Sequence, residues 1–109
     1  PFEFNGNVRN FGLIDNLPQG ACVEVPILAS ANGLKPTHIG AMPPELALLN
    51  SIESQTEEMA VEAYLRKDKS LIYKAVYYDP YTSAKLSLDE MDEMVADMFE
   101  ACKPYQTFW

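Results

Sequence analysis

The sequence predicts an α+β fold in which short β-strands are followed by three helices. Three observations carry the prediction: strand-like apolar runs confined to the part before Gly40, helical apolar periodicity beginning near Pro43, and a helix-capping signature at Ser87 and Glu90.

Phe2 to Asn10 alternates loosely between apolar and polar residues and reads as extended. Phe11 to Ile14 is an apolar run ended by Asp15-Asn16-Leu17-Pro18-Gln19-Gly20. In that turn Asp and Asn side chains can bond their own backbone, Pro18 fixes φ and Gly20 permits a positive φ. Ala21 to Leu28 follows as a strand whose apolar residues fall on both faces, which predicts burial on both sides. Glu24 is the exception: either the strand has one wet face, or the carboxylate pairs with a cation such as Arg9. Asn32-Gly33 marks a tight two-residue turn into a third strand at Thr37 to Ile39, bounded by Pro36 and Gly40.

Proline is accommodated in a first helical turn, so a helix is expected from Pro43 or Pro44 to about Arg66. Leu48, Leu49, Ile52, Met59, Ala60 and Ala63 recur on its inner side, opposite Glu53, Glu57, Glu58 and Glu62. Lys67-Asp68 interrupts it. A second, shorter helix covers Ser70 to Tyr78 and ends at Asp79-Pro80, because the residue before proline is pushed out of the helical region. The last helix starts at Ser87 with Glu90 completing a capping box, and Asp89 and Glu90 suit the positive end of its dipole. Leu88, Met91, Met94, Val95, Met98 and Cys102 form one stripe, Pro104 stops the helix, and Tyr105 to Trp109 is a tail.

A chain of 109 residues, 48% apolar, supports one domain with a small core. Its 16 acidic against 8 basic side chains, a net charge of −8, argue against an electrostatic grip on nucleic acid or on an anionic membrane surface. No apolar run approaches the roughly 20 residues of a membrane span, so a soluble, cytoplasmic protein is expected. Cys22 and Cys102 stand in apolar contexts and read as reduced core thiols; neither has the close ligand spacing of a metal site. His38 lacks a nucleophile, a paired carboxylate or a metal motif nearby, which leaves it a surface position or a hydrogen-bonded structural role. The methionines at 91, 94 and 98 read as core, and Tyr73, Tyr77, Tyr78 and Tyr81 as packing around the second helix or as part of an interface.

Asn7, Arg9, Asn10, Asp15 and Asn16 form the densest polar cluster. Amides and a guanidinium can line a sugar or polyol pocket with convergent hydrogen bonds; the plainer reading is a set of turn-formers and N–H acceptors in an exposed loop. There is no G-x-G-x-x-G, P-loop, G-x-S-x-G or H-E-x-x-H signature.

The run NGNVRNFGLIDNLPQGACVEVP, followed by GLKPTHIG and a helix beginning AMPPEL, resembles the C-terminal part of family 4 glycoside hydrolases, in particular their α-galactosidase branch. The resemblance covers nearly the whole chain but only the last part of a typical member. It implies a C-terminal α+β domain like that of lactate dehydrogenase, packed on a Rossmann domain that this sequence does not contain. It further implies an NAD- and Mn2+-dependent glycosidase: the sugar is transiently oxidised at C3, a tyrosine base removes the C2 proton, and the glycosidic bond breaks by elimination. The reactive groups would lie upstream. The resemblance therefore gives this chain no catalytic or metal-binding residue, Cys22 and His38 do not inherit a metal role, and the chain alone is expected to bind neither NAD nor Mn2+. A homo-oligomer and a small α-galactoside substrate are implied, as is an isolated piece that exposes apolar surface. Asn7, Arg9 and Asn10 are expected to face the substrate side of the cleft. The alternative is a stand-alone binding or oligomerisation module without catalysis.

Overall fold

The computed structural model describes residues 1–106, which comprise β1 (Phe2–Arg9), β2 (Cys22–Ser30), β3 (Gly33–Pro36), α1 (Pro44–Arg66), α2 (Lys69–Tyr78), α3 (Pro80–Lys85), α4 (Leu88–Cys102) and a 3-10 turn at Lys103–Tyr105. The chain divides into two compact units, Pro1–Ser54 and Gln55–Trp109. From Thr107 onward the expected tail lies outside the described residues.

In the first unit the strands form one antiparallel sheet in the order β1-β2-β3. Successive strand residues point to opposite faces, and the register sets Val8 against Val23, Gly6 against Val25 and Phe4 against Ile27 on one of them. Val23, Val25 and Ile27 are buried there together with Leu13, Ile14, Leu17 and Ala47, and Val8 and Met42 pack at the margin. Gly6 belongs on this face by size, because a Cβ would lie 2.7 Å from Ile27 Cδ1.

Two expectations about β2 are corrected. The strand is covered on one face only: Cys22, Glu24 and Leu28 are exposed while Val23, Val25 and Ile27 between them are buried. Cys22 is accordingly an exposed free thiol and not a core residue. Counting apolar residues hid an alternation of period two, and Glu24 marked the wet face.

The third strand lies earlier than Thr37 to Ile39. Ser30 pairs with Gly33 across a two-residue loop, Ala31-Asn32, so pairing resumes at once and ends at Pro36. Gly33 opens β3 at φ +102, a conformation that glycine adopts freely. The chain then crosses to the loop that follows β1. Ile39 N–H donates to Leu13 O at 2.8 Å, Asp15 N–H donates to Gly40 O at 2.9 Å, and Ile14 forms an isolated parallel bridge with Gly40.

α1 begins at Pro44 and ends at Arg66, as its proline start and apolar period predict. Its expected inner side is only partly buried. Ala47, Thr56 and Ala63 are covered, whereas Leu48 is 63% and Leu49 55% exposed. The helix closes without glycine. Lys67 takes φ +56, its N–H donates to Tyr64 O at 3.3 Å, and Asp68 N–H donates to Ala63 O at 3.0 Å. This is a Schellman closure with a lysine at the left-handed position, which costs a β-carbon-bearing residue roughly 1–2 kcal/mol. Lys67→Gly is expected to stabilise by about 0.5 kcal/mol after loss of the ammonium's contact with the Tyr64 ring. Thermal denaturation reads the change; a lower midpoint would show the contact to outweigh the strain.

In the second unit there are three further α-helices after α1, so the described residues hold four and not the expected three. Asp79-Pro80 ends α2 and starts α3 with the same residues. Asp79 N–H donates to Val76 O, and Asp79 Oδ2 accepts from Thr82 N–H at 2.8 Å and Thr82 Oγ1 at 2.7 Å. The Thr82 hydroxyl, then its N–H, holds this carboxyl below its ordinary range. α4 carries the predicted capping box, Ser87 with Glu90. Met91 and Val95 are buried; Leu88 and Met98 at the ends of the stripe are exposed. The tyrosines do not act as one cluster. Tyr77 donates to Asp92, which pushes the phenol's pKa up; Tyr73 lies 6.2 Å from Phe99; Tyr78 and Tyr81 are exposed.

Candidate functional site: the polar face of the sheet

Because β1 alternates, Glu3, Asn5, Asn7 and Arg9 share the face opposite the core. Asn7 pairs with Glu24 and Arg9 with Cys22 across the β1–β2 ladder, and Lys35 joins the same face through Leu28. The result is an open polar surface carrying two carboxylates, two amides, two cations and a thiol. Asn7 and Arg9 lie on a strand and not in a loop, and both are exposed. Arg9 and Glu24 form no ion pair among the described residues. The wet-face reading of Glu24 therefore holds.

Asn10 has a different position from its neighbours. It is 0% exposed, and its amide is spent on the loop that covers the core. Nδ2 faces Ile14 O at 2.9 Å, Pro18 O at 3.2 Å and Leu17 O at 3.3 Å; Oδ1 accepts from Ile14 N–H at 2.8 Å and Leu13 N–H at 3.3 Å. With donors and acceptor both committed, Asn10 presents no free polar atom to solvent. It organises the loop behind Arg9.

The remaining polar residues of the cluster are also structural. Asn16 pairs with the Met42 backbone in both directions at 2.8 Å, and Asp15 Oδ1 meets His38 Nε2 at 2.9 Å. His38 thus has the hydrogen-bonded role expected of it. Of the five candidate residues Asn10 alone is buried; Asp15 and Asn16 are exposed but bonded to His38 and to the Met42 backbone, while Asn7 and Arg9 stand on the open face of the sheet. The fold adds Asn5, which alternation from Asn7 could have supplied.

Among the described residues no three His, Cys, Asp or Glu side chains converge to hold a metal ion. The sequence has no Gly-rich dinucleotide turn. What the described side chains of the sheet face offer is hydrogen bonding and charge. No described helix is long and apolar enough to cross a membrane. In the helical unit an apolar groove of about 200 Å³ is lined by Ile72, Val76, Val95, Met98 and Phe99, with Cys102 at its side; it contains none of the candidate residues.

Comparison with known proteins gives the family. The Family 4 glycosyl hydrolase C-terminal domain matches residues 1–82. An alpha-galactosidase of Bacillus subtilis (strain 168) is 43% identical over 101 residues, 93% of this chain and 23% of that protein. An alpha-galacturonidase of Lachnoclostridium phytofermentans is 34% identical over 102 residues, 93% of this chain and 22% of that protein. A 6-phospho-alpha-glucosidase from gut microorganisms, solved with NAD and glucose-6-phosphate, superposes with TM-score 0.82 at 26% identity, over 95% of this chain and 23% of its own. A second such structure, solved with NAD and Mn2+, has TM-score 0.85 at 22% identity, over 99% of this chain and 24% of its own, and shares the fold.

The chain belongs to glycosyl hydrolase family 4 and corresponds to the C-terminal part of its members. It spans less than a quarter of the length of these curated relatives.

Proposed function

We propose that this chain is the C-terminal part of a cytoplasmic α-galactosidase that works with NAD and Mn2+ by oxidation and elimination, and that Asn7 and Arg9 form a wall of its sugar cleft. The observation that carries the reading is the 43% identity to an alpha-galactosidase across 93% of the chain, above the 34% shared with an alpha-galacturonidase. The rest of the polypeptide, a Rossmann domain by this reading, holds NAD and Mn2+ and supplies the base.

This chain's own contribution is to bind and orient. The Arg9 guanidinium and the Asn7 amide offer several N–H donors and one carbonyl acceptor from neighbouring positions on a rigid strand, which suits the alternating donors and acceptors of sugar hydroxyls. Asn10 fixes the loop after Arg9 from behind.

The test uses the full-length protein that carries this chain, assayed on a nitrophenyl α-galactoside with NAD, Mn2+ and reductant. Turnover is expected to require both NAD and the metal, while the 109-residue chain alone gives none. Arg9→Ala or Asn7→Ala in the full-length protein should lower kcat/KM by about tenfold, the loss of one or two polar contacts. Absence of turnover on any α-galactoside, with intact folding, would favour a binding or oligomerisation module.

A further inference from the structure

We propose that Glu24 is a further sugar-binding residue of the polar sheet face, the acceptor that takes the protons of a sugar's vicinal hydroxyls. This rests on the reading of that face as a wall of the sugar cleft and goes beyond it by naming the group that the wall otherwise lacks. Glu24 stands on β2 between Val23 and Val25, both buried, and is itself exposed on the face of Asn7 and Arg9. Glutamate is depleted in strands, and a β-branched residue would serve the ladder better at this place. Its cross-strand partner is Asn7, and Arg9 lies one diagonal step away, opposite Cys22. Asn10 N–H donates to Ala21 O at 2.8 Å, and hydrogen-bonded and non-hydrogen-bonded pairs alternate from there, which makes Asn7 and Glu24 a non-hydrogen-bonded pair. Side chains come closest in such pairs, and a diagonal neighbour is within reach of a long side chain. An amide, a carboxylate and a guanidinium that could satisfy one another thus stand side by side. No hydrogen bond or ion pair joins the side chains of Asn7, Arg9 and Glu24 to one another.

The donors and acceptors define the ligand. The Arg9 guanidinium only donates, and the Asn7 amide donates through its nitrogen and accepts through a single oxygen. A sugar hydroxyl both accepts and donates, so the protons of a diol bound by these two residues alone would compete for that one oxygen. The Glu24 carboxylate is acceptor-only and supplies the missing lone pairs, in charge-assisted bonds stronger than those to a neutral acceptor. Arg9 and Asn7 then hold the hydroxyl oxygens and Glu24 their hydrogens. The charge of the carboxylate is offset by the guanidinium beside it.

The test uses the full-length protein, with the exposed Cys22 thiol opposite Arg9 as a reporter of the same face. Alkylation of Cys22 by iodoacetamide, read by mass spectrometry of its peptide, is expected to be slowed by galactose. Glu24→Gln should raise the galactose concentration for half-protection by about tenfold, with a similar rise in KM on the nitrophenyl α-galactoside. Because Glu24 is exposed, this isosteric variant should keep the wild-type melting temperature. Glu24→Asp keeps the charge and shortens the reach; it is expected to fall between the two and decides the matter if the glutamine variant does not fold. Monodeoxy galactoses make the contact specific: for a sugar lacking a hydroxyl that Glu24 holds, the wild type should lose most of its advantage over Glu24→Gln. Unchanged protection in Glu24→Gln, or an advantage that stays the same for every deoxy sugar, would overturn the proposal. So would a Cys22 that does not react in the folded full-length protein, since other polypeptide would then cover the face. Turnover without protection by galactose overturns it and leaves the glycosidase reading standing, whereas protection without turnover supports Glu24 and counts against that reading.

Discussion

Asn10→Asp is expected to destabilise the fold by about 4 kcal/mol in urea denaturation, and Asn10→Ala by about 3 kcal/mol. The carboxamide is fully buried and serves five backbone groups of the loop between β1 and β2. Alanine leaves Leu17 O, Pro18 O and the Leu13 and Ile14 amides without the partner that takes them out of water. Aspartate has the same shape but turns an oxygen toward three carbonyls, so it must either bury a charge or stay protonated with one hydrogen where two are needed. Its cost therefore exceeds that of the truncation. If both variants lost less than about 1 kcal/mol, the loop would be holding itself and the role given to Asn10 would be wrong.

A second large effect is expected at Ile27, which is 2% exposed beneath the loop that Asn10 holds. Ile27→Ala should cost about 3 kcal/mol through lost burial and the cavity left behind. Gly6, the diagonal neighbour of Ile27 on β1, makes this test specific. An added methyl at Gly6 would point within 2.7 Å of Ile27 Cδ1, so Gly6→Ala alone crowds an occupied space. In the Ile27→Ala background the tightest contact is gone and only the Phe4 ring, with Cε2 at 3.0 Å, must give, so the same methyl should cost about 1 kcal/mol less than it does in the wild type. Additive losses in the double variant would mean that the cavity collapses away from β1.

The helices were legible because their signals are local. A capping box and an apolar stripe fix α4 without help from the rest of the chain, and the proline start of α1 lies where expected. The missed helix, α3, follows from reading Asp79-Pro80 only as an ending. An aspartate before a proline can cap the next turn as well as close the last one. The displaced third strand has another cause: hairpin pairing is set by the loop, so β3 starts at Gly33 although its residues are less apolar than Thr37 to Ile39.

The candidate site was legible in residue type but not in direction. Asn7, Arg9 and Asn10 look alike as polar residues near a turn. Only the ladder shows that two stand on an open face and the third is sealed inside. A strand can turn consecutive residues to opposite sides, so sequence proximity does not make neighbours into colleagues. The uncovered side of α1 is illegible for a different reason, since what a leucine packs against in a longer protein is not encoded beside it.

The doubled role of Asp79 has a consequence for how this domain can vary. One residue is both the last stop of α2 and the cap of α3, so the hinge between them contains no spare length. An inserted residue would have to separate the N–H that closes one helix from the carboxylate that opens the next. Length variation in this part of the family should therefore be absorbed at other joints, and the pitch of α2 phases the direction in which α3 departs.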